Sequence, residues 1–319
     1  MFKLAAIIVW FNPKSIIGNP IENINSYLSY IDKLYIIDNS SDSNEDIAQT
    51  IQKSTYVLNR NIGGLGGAQN IGLKLALEDG FEYAMTMDQD SKFEPGEFEK
   101  YKQLVQAYVE KNENAVSFAP LSVNENERLP ILKRIRFKIL SPLKKLVYGK
   151  DYKPHIIECE SKDKVIASAN IIKLSAWEKV GKFNEELFIS EIDYDFCYRL
   201  KNAGYDIIRF NTIHLKQQGG SKHGFLIFPK YTAKYSDDRF YYIVRNAYIM
   251  KSNYPEKTRY YKTLLKHLFI DYCLNSIHPI RHFKIFKKAK LDSETFKMKL
   301  PAASVGELAP VEIKNYKEM

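Results

Sequence analysis

Four short apolar runs, each cut off by a polar or turn-forming residue, divide the chain up to Asp90. Leu4-Ala-Ala-Ile-Ile-Val-Trp10 stops at Asn12-Pro13, and Leu34-Tyr-Ile-Ile-Asp38 runs into Asn39-Ser40-Ser41-Asp42. Thr55-Tyr-Val-Leu58 precedes Asn61, and Tyr83-Ala-Met-Thr-Met87 ends at Asp88. Continuous rather than alternating apolar content marks strands covered on both faces, as in parallel sheets. Between them, Ile24, Tyr27, Leu28 and Ile31 have helical spacing within 21–34, and shorter helical segments cover 46–53 and 70–79, the last closed by Gly80. Strand and helix in alternation predict an α/β fold, a mostly parallel sheet wound with helices on both faces. Ligands of such sheets bind beyond the carboxyl ends of the strands, and Asn12, Asp38, Asn39, Asn61 and Asp88 all fall there.

Further along the order loosens. Helices are expected at 98–110, 176–180 and 191–204, strands at 115–121, 164–174 and 205–210, and a basic, amphipathic, irregular stretch at 132–150. At 319 residues the chain can hold a large core. The reading places a catalytic domain at 1–228, a basic, aromatic-rich helical segment at 229–300 and a flexible tail at 301–319. Cys159, Cys197 and Cys273 are too few and too scattered for a disulfide framework, which points to a reducing compartment. The start of the chain lacks the charge cluster of a secretory leader, and no apolar run reaches spanning length. A cytoplasmic protein is expected, with peripheral attachment to the inner face of the cell membrane as an option.

Two motifs carry candidate chemistry. Asn61-Ile-Gly-Gly-Leu-Gly-Gly-Ala-Gln-Asn70 is a glycine-rich loop between a strand and a helix, where backbone can approach an anion. It fails the dinucleotide pattern, since Gln69 stands where the third glycine belongs, and it lacks the Gly-Lys-Ser/Thr of a phosphate-binding P-loop. A loop that only permits close helix–sheet packing is the other reading. Asp88-Gln89-Asp90 follows a strand directly, and two carboxylates at that spacing suit a hard cation such as Mg²⁺ or Mn²⁺. The cation would make a diphosphate a better leaving group. Glu191, Asp193 and Asp195 open a helix. Acidic residues there satisfy the helix dipole, or one of them is a general base. His214 is a structural histidine or a third metal ligand.

Taken together and in order, these pieces resemble bacterial family 2 glycosyltransferases, especially their rhamnosyltransferase-like branch. The matching segments are Ile-Val-Trp-Phe-Asn-Pro13, Ile-Asp-Asn-Ser-Ser41, the Asn61–Asn70 loop, Met-Asp-Gln-Asp-Ser91 and Ser-Ala-Asn170. Val-Gly-Lys-Phe-Asn-Glu185, Leu-Phe-Ile-Ser-Glu-Ile-Asp-Tyr-Asp-Phe-Cys-Tyr-Arg199, His214 and Arg239-Phe-Tyr-Tyr-Ile-Val-Arg-Asn246 continue the match. The resemblance implies a GT-A fold and an inverting, metal-dependent transfer of a sugar, foremost L-rhamnose from dTDP-rhamnose, to a saccharide or polyprenyl-linked acceptor in cell-surface polysaccharide synthesis. It implies Asp193 as the base and Asp90 with Asp88 and His214 as metal ligands. Donor contacts would come from Asn12, Asp38, Asn39, Asn61, Gly63, Asn70, Asp88, Gln89 and Arg245, with Glu191 and Asp195 supporting the base or the acceptor. Ser190, Asp195 and Asn184 depart from the branch's more frequent residues and leave the donor open, with a UDP-linked galactofuranose or other hexose as the alternative. A noncatalytic nucleotide- or membrane-binding protein is the rival of a different class.

The net charge of +9 is local: residues 251–300 hold twelve Lys or Arg against four Asp or Glu, leaving 35 against 34 elsewhere. Within Lys262–Lys290 the basic residues interleave with Leu and aromatic side chains. This fits an anionic membrane surface, docking on the catalytic domain or a dimer seam. Nucleic acid is not expected, because the rest of the chain is nearly neutral and has no nucleic-acid motif.

Overall fold

The computed structural model describes residues 2–15, 19–124, 158–217, 222–225, 228–233, 235–274, 276, 278–296 and 313–315. The four apolar runs form β1 (Leu4–Trp10), β2 (Lys33–Asp38), β3 (Ser54–Leu58) and β4 (Tyr83–Asp88). They lie side by side in the order β3-β2-β1-β4, all parallel. The register sets Trp10 beside Asp38 and Val9 beside Asp88, so the polar strand ends gather on one edge, as expected. Between them run α1 (Pro20–Asn25), α2 (Glu45–Ala48) and α3 (Gly64–Glu78). The helix expected over 21–34 stops at Asn25, where Ser26 turns its hydroxyl back onto the Asn23 carbonyl. Conversely, α3 starts at Gly64 rather than Asn70: the glycine-rich segment is itself helical.

The second half makes the sheet mixed. After β5 (Ser91–Phe93), α4 (Glu97–Val109), β6 (Ala115–Asn124) and β7 (Cys159–Ser161), β8 (Asn170–Lys173) enters antiparallel between β4 and β6. Residues 164–169, read as part of that strand, are irregular instead, and Ala169 sits at φ 58. Then come α5 (Leu174–Lys179), α6 (Ile192–Asn202), β9 (Asp206–Gln217) and a β10 (Lys222–Phe225)–β11 (Phe228–Ala233) hairpin. β9 is longer than expected because it continues past Phe210 to pair with both β6 and β5. The basic stretch at 132–150 lies outside the described residues.

Two buried clusters cover the two faces of the sheet. Ile8, Trp10, Tyr27, Phe98, Tyr101 and Phe210 belong to one, and Ile7, Leu73, Trp177 and Phe196 to the other. The second also takes in Phe240, Val244, Leu265, Tyr272 and Ala289 from α7 (Asp237–Asn253), α8 (Thr258–Leu268), the π-helical turn after it and α9 (Pro279–Thr295). The segment expected as an appendage beyond 228 therefore shares the sheet's own core. Within the expected tail, β12 (Ile313–Asn315) pairs antiparallel with β3 at the sheet edge. Among the described residues no helix is long and apolar enough to cross a membrane.

Gly72 marks where α3 touches the sheet: a Cβ there would lie 2.4 Å from Cγ2 of Ile7. Alanine ordinarily favours a helix by about 1 kcal/mol over glycine, but overpacking a core costs about 1–3 kcal/mol. Gly72→Ala is therefore expected to lower the melting temperature. A gain in thermal stability would show that α3 can lift off β1 at no cost.

Candidate active site

An open cleft of about 2440 Å³ lies over the carboxyl ends of the strands. Asp88 and Asp90 enter it from the end of β4, and Asp193 enters from the first turn of α6. Burial first, then the charges of Asp90 and Asp193, push the Asp88 carboxyl up to about 7. Asp193 is likewise pushed up to about 7 by burial and by Glu191, against hydrogen bonds from the Tyr194 and Ala167 backbones. Burial also raises Asp90. Three carboxyl groups thus share a partly desolvated cleft, an arrangement that resists full ionisation unless a cation enters.

One cation already faces them. Arg239, near the start of α7, lines the cleft and favours the ionised forms of both Asp88 and Asp90. Gln217, at the end of β9, donates from Nε2 to Asp88 Oδ2 at 3.5 Å. Neither was singled out as a site residue from the sequence. Arg239 had a signal, since it opens the segment ending at Asn246. Gln217 had none, because only the length of β9 brings it there.

The backbone that presents Asp193 is strained. Phe188, Ser190 and Glu191 have φ of 63, 68 and 64, a region that disfavours any residue bearing a Cβ. Asn246 of α7, fully buried, holds the segment: its Nδ2 donates to the carbonyls of Leu187 (2.8 Å), Ile189 (2.9 Å) and Ser190 (3.0 Å). Beside it, Arg245 donates from Nη2 to the Glu186 carbonyl at 2.7 Å and from Nε to Asn246 Oδ1 at 3.0 Å. Arg245, expected at the donor diphosphate, is committed to this segment and does not line the cleft.

From the far side the same segment meets the glycine-rich stretch. Leu65 N–H donates to the Phe188 carbonyl at 2.8 Å, and a Cβ on Gly64 would lie 2.2 Å from that oxygen. Gly66 approaches Asn184, and Gly67 approaches Ile62. A protein carbonyl takes the Leu65 N–H donor at the start of α3, and these glycines pack on the 184–188 segment and Ile62 rather than on the sheet, while Asn61 and Leu65 of the same stretch line the cleft. Gly63, at φ 67, sits against Glu185 rather than the cleft. Asn70 uses all its hydrogen-bonding capacity inside the fold: Nδ2 donates to Phe183 O and Glu185 Oε1, and Oδ1 accepts from Phe183 N and Trp177 Nε1.

Of the other expected donor contacts, Asn39, Asn61 and Gln89 line the cleft. Gln89 also clamps Phe11 through a reciprocal pair of 3.0 Å hydrogen bonds to its backbone. Asp38 is buried at the end of β2, where it accepts from Ser40 N, Asn44 N, Asn44 Nδ2 and Tyr56 OH, fixing the 39–44 loop. Asn12 stays outside the cleft lining, its N–H bonded to Ser40 Oγ. His214 is not part of the cleft lining: its N–H donates to Glu97 Oε2 at 2.9 Å, and its ring is half exposed beside the same carboxylate. Among the described residues no three His, Cys, Asp or Glu side chains group as a metal-holding set. Asp195 is fully buried, pairing with Arg199 at 2.8 Å and accepting from Tyr254 OH at 2.7 Å, a role in the fold. Glu191 accepts from Tyr261 OH at 2.7 Å. Near Glu191 and Asp193 the Lys164 ammonium is caged between the rings of Tyr194 and Tyr260, 3.8 and 3.6 Å from their centroids.

Residues 5–162, which span β1 to β7 and include Asp88 and Asp90, match the family model described as Glycosyl transferase family 2. This chain carries a family 2 glycosyltransferase domain. It is 28% identical over 257 residues to the dTDP-rhamnosyl transferase RfbF of Shigella flexneri, covering 78% of this chain and 79% of that protein. An uncharacterized protein of Methanocaldococcus jannaschii is 28% identical over 135 residues, 42% of this chain and 53% of that one. The crystal structure of GalNAc-T7 with UDP, GalNAc and Mn²⁺ shares the fold, with a TM-score of 0.51 at 13% identity. That match covers 79% of this chain, which spans 50% of that structure's chain. The glycosyltransferase is of GT-A type, a mixed sheet flanked by helices with further helices at its C-terminal side.

Asn246→Ala frees three carbonyls beneath the strained segment. We expect loss of stability of about 1–3 kcal/mol and a fall in kcat well beyond what the folded fraction explains. Circular dichroism melts alongside initial rates at saturating donor test this. Unchanged turnover in the folded variant would mean the segment holds its shape without the amide.

Proposed function

We propose that this glycosyltransferase moves L-rhamnose from dTDP-rhamnose to an acceptor hydroxyl with inversion at the anomeric carbon. The observation that carries the reaction type is the cleft itself, with a carboxylate pair after β4 facing a third carboxyl at the start of α6. The similarity to a dTDP-rhamnosyl transferase along most of both chains supports the sugar. Asn39, Asn61 and Gln89 would bind the nucleoside side of the donor, with Asp88 at the junction to the diphosphate and Arg239 as its cationic contact.

The donor set suits a hard dication: two carboxylates, desolvated and close enough to repel one another. Mg²⁺ or Mn²⁺ would be held by Asp90 and Asp88, with water and donor phosphates completing the shell, and would neutralise charge on the departing diphosphate. His214 is left out of this set. The acceptor oxygen attacks the anomeric carbon from the face opposite the diphosphate. The bond from that carbon to the phosphate oxygen breaks, and dTDP leaves with the electron pair. The acceptor's hydroxyl proton passes to the Asp193 carboxylate. A base of pKa near the working pH is the effective kind, and Asp193 at about 7 meets that requirement.

Asp193→Asn is expected to lower kcat about 10²–10⁴-fold while dTDP affinity, read by calorimetry, stays within a few-fold. Parallel loss of affinity and turnover would assign Asp193 to donor binding. In the native chain kcat/KM should rise with pH through about 7, because the base works only when ionised. At saturating metal, which would hold Asp88 ionised, the residual rate of Asp193→Asn should lack that limb.

Chelation tests the metal separately. EDTA should weaken dTDP binding in the native chain and add little further loss in Asp90→Asn. Full affinity and full turnover in EDTA would remove the dication from the scheme.

A further inference from the structure

The irregular run 164–169 is stitched to both sides of the cleft. The Ala167 carbonyl accepts from Thr86 Oγ1 of β4 at 2.5 Å, and the Ala167 N–H donates to the Asp193 carboxyl. Val165 N donates to Cys197 Sγ of α6 at 3.5 Å. Lys164 opens this run and meets α6 as well. Its ammonium lies between the rings of Tyr194, which follows Asp193 directly, and Tyr260 of α8, 3.8 and 3.6 Å from their centroids. The next residue of α8, Tyr261, is fully buried and donates to Glu191 Oε2 at 2.7 Å. Through consecutive tyrosines α8 thus holds both Lys164 and the residue two before Asp193.

The cage is a costly place for a cation. An ammonium carries three N–H donors and is strongly hydrated in water. Lys164 Nζ is buried, and among the described residues none accepts a hydrogen bond from it. Two tyrosine faces offset part of the lost hydration. A side chain that only had to fill the gap between two rings would do better as Met, whose sulfur packs well on aromatics. What the charge faces is a pair of buried carboxyls. Burial pushes the Lys164 ammonium down, and Glu191, then Asp193, push it back up. Lys164 in return favours the ionised form of Glu191, whose charge adds to burial in opposing ionisation of Asp193.

We infer that Lys164 is a positioning residue for the transfer: caged by Tyr194 and Tyr260, its charge holds Glu191 and the first turn of α6 so that the Asp193 carboxylate meets the attacking hydroxyl. The inference rests on the reading of Asp193 as the base. Ile166, Ala167 and Asp193 line the cleft, but Lys164 does not. It therefore acts through Asp193 and not on the donor. The helix beyond the sheet, α8, takes part in turnover by the same route, since it supplies one wall of the cage.

The assay is release of nucleotide from dTDP-rhamnose, or from UDP-galactofuranose where that is the donor turned over. Mg²⁺ is present, water replaces the acceptor hydroxyl, and rates are taken per folded chain by circular dichroism. K164M keeps the length of the side chain and removes its charge. It should lower kcat about 10-fold or more, while calorimetric affinity for the matching nucleotide stays near the native value. K164R, whose flat cation also stacks on rings, should recover most of that loss. Y260L strips one face of the cage and should slow release in the same sense, and Y260F, which keeps the ring, should retain most of the rate that Y260L loses. The double variant K164M/D193N should be no slower than D193N, because a residue that acts through the base then has nothing to act on. Where K164M does not fold, Y260L carries the test.

Native kcat in folded K164M, with D193N slow, would overturn this inference alone. Loss of nucleotide affinity in parallel with kcat would give Lys164 to the donor site. A further fall on adding K164M to D193N would reduce its part to packing, and K164R as slow as K164M would remove the charge as the cause. Each of these sinks the proposal. D193N releasing nucleotide at the native rate would instead sink the reading of Asp193 as the base, and this inference with it.

Discussion

One buried amide holds the Asp193 side of this cleft in place. Asn246 offers two N–H bonds to three carbonyls, those of Leu187, Ile189 and Ser190, from a helix more than fifty residues further along the chain. The carbonyls converge because the segment they belong to is bent into conformations that side-chain-bearing residues avoid. Such strain persists only where surrounding structure over-determines it. Here it is held from two directions: α7 grips the segment through Arg245 and Asn246, and the start of α3 grips it through Leu65 and Gly64. Asp193 follows this segment directly, so its position depends on both contacts.

The glycines of 63–67 gain their meaning from the same contact. In sequence they look like an anion loop, because glycine at a strand-to-helix junction permits a close approach of backbone. The close approach is real, but what approaches is protein: Phe188 lies where a Gly64 Cβ would be. The helix that follows β3 and the segment that leads into α6 are thereby joined backbone to backbone. This explains why the segment from Asn184 to Glu191, outside the 5–162 family match, packs against residues inside it.

The first four strands were legible because strands buried on both faces must be apolar throughout, and their polar ends had to collect on one edge. Asp88 and Asp90 followed from that edge, whereas the acidic start of α6 left Glu191, Asp193 and Asp195 equal and only the family resemblance singled out Asp193. What stayed hidden depends on distance along the chain. Nothing local tells Asn70 and Asp195, both spent within the fold, from ligand-binding residues, because their partners Trp177, Phe183 and Tyr254 come from other elements. The displacement of His214 is a matter of strand register beside Glu97. The antiparallel β8 and the sharing of one core by α7, α8 and α9 with the sheet are likewise tertiary choices. Helical periodicity shows that a face is apolar, not what covers it.

The carboxyl groups explain why the cleft works as a unit rather than as separate contacts. Asp88 and Asp193 both have their proton affinity raised, with burial the leading cause in each. A group whose folded pKa lies above its unfolded value contributes most to folding at low pH, and that contribution is lost as pH rises through the folded value. For these two residues the loss runs from the ordinary carboxylate range up to about 7. At and above neutrality the ionised carboxyls therefore oppose folding. Arg239 offsets part of the repulsion around Asp88 and Asp90, while Lys164 stands near Glu191 and Asp193. The remainder is relieved by whatever brings positive charge to Asp88 and Asp90 or a proton to Asp193. In the proposed reaction those are the two events of turnover, donor loading at one wall and acceptor deprotonation at the other. Because Asp193 raises the proton affinity of Asp88 through space, and such coupling is reciprocal, positive charge brought to one carboxyl favours ionisation of the other.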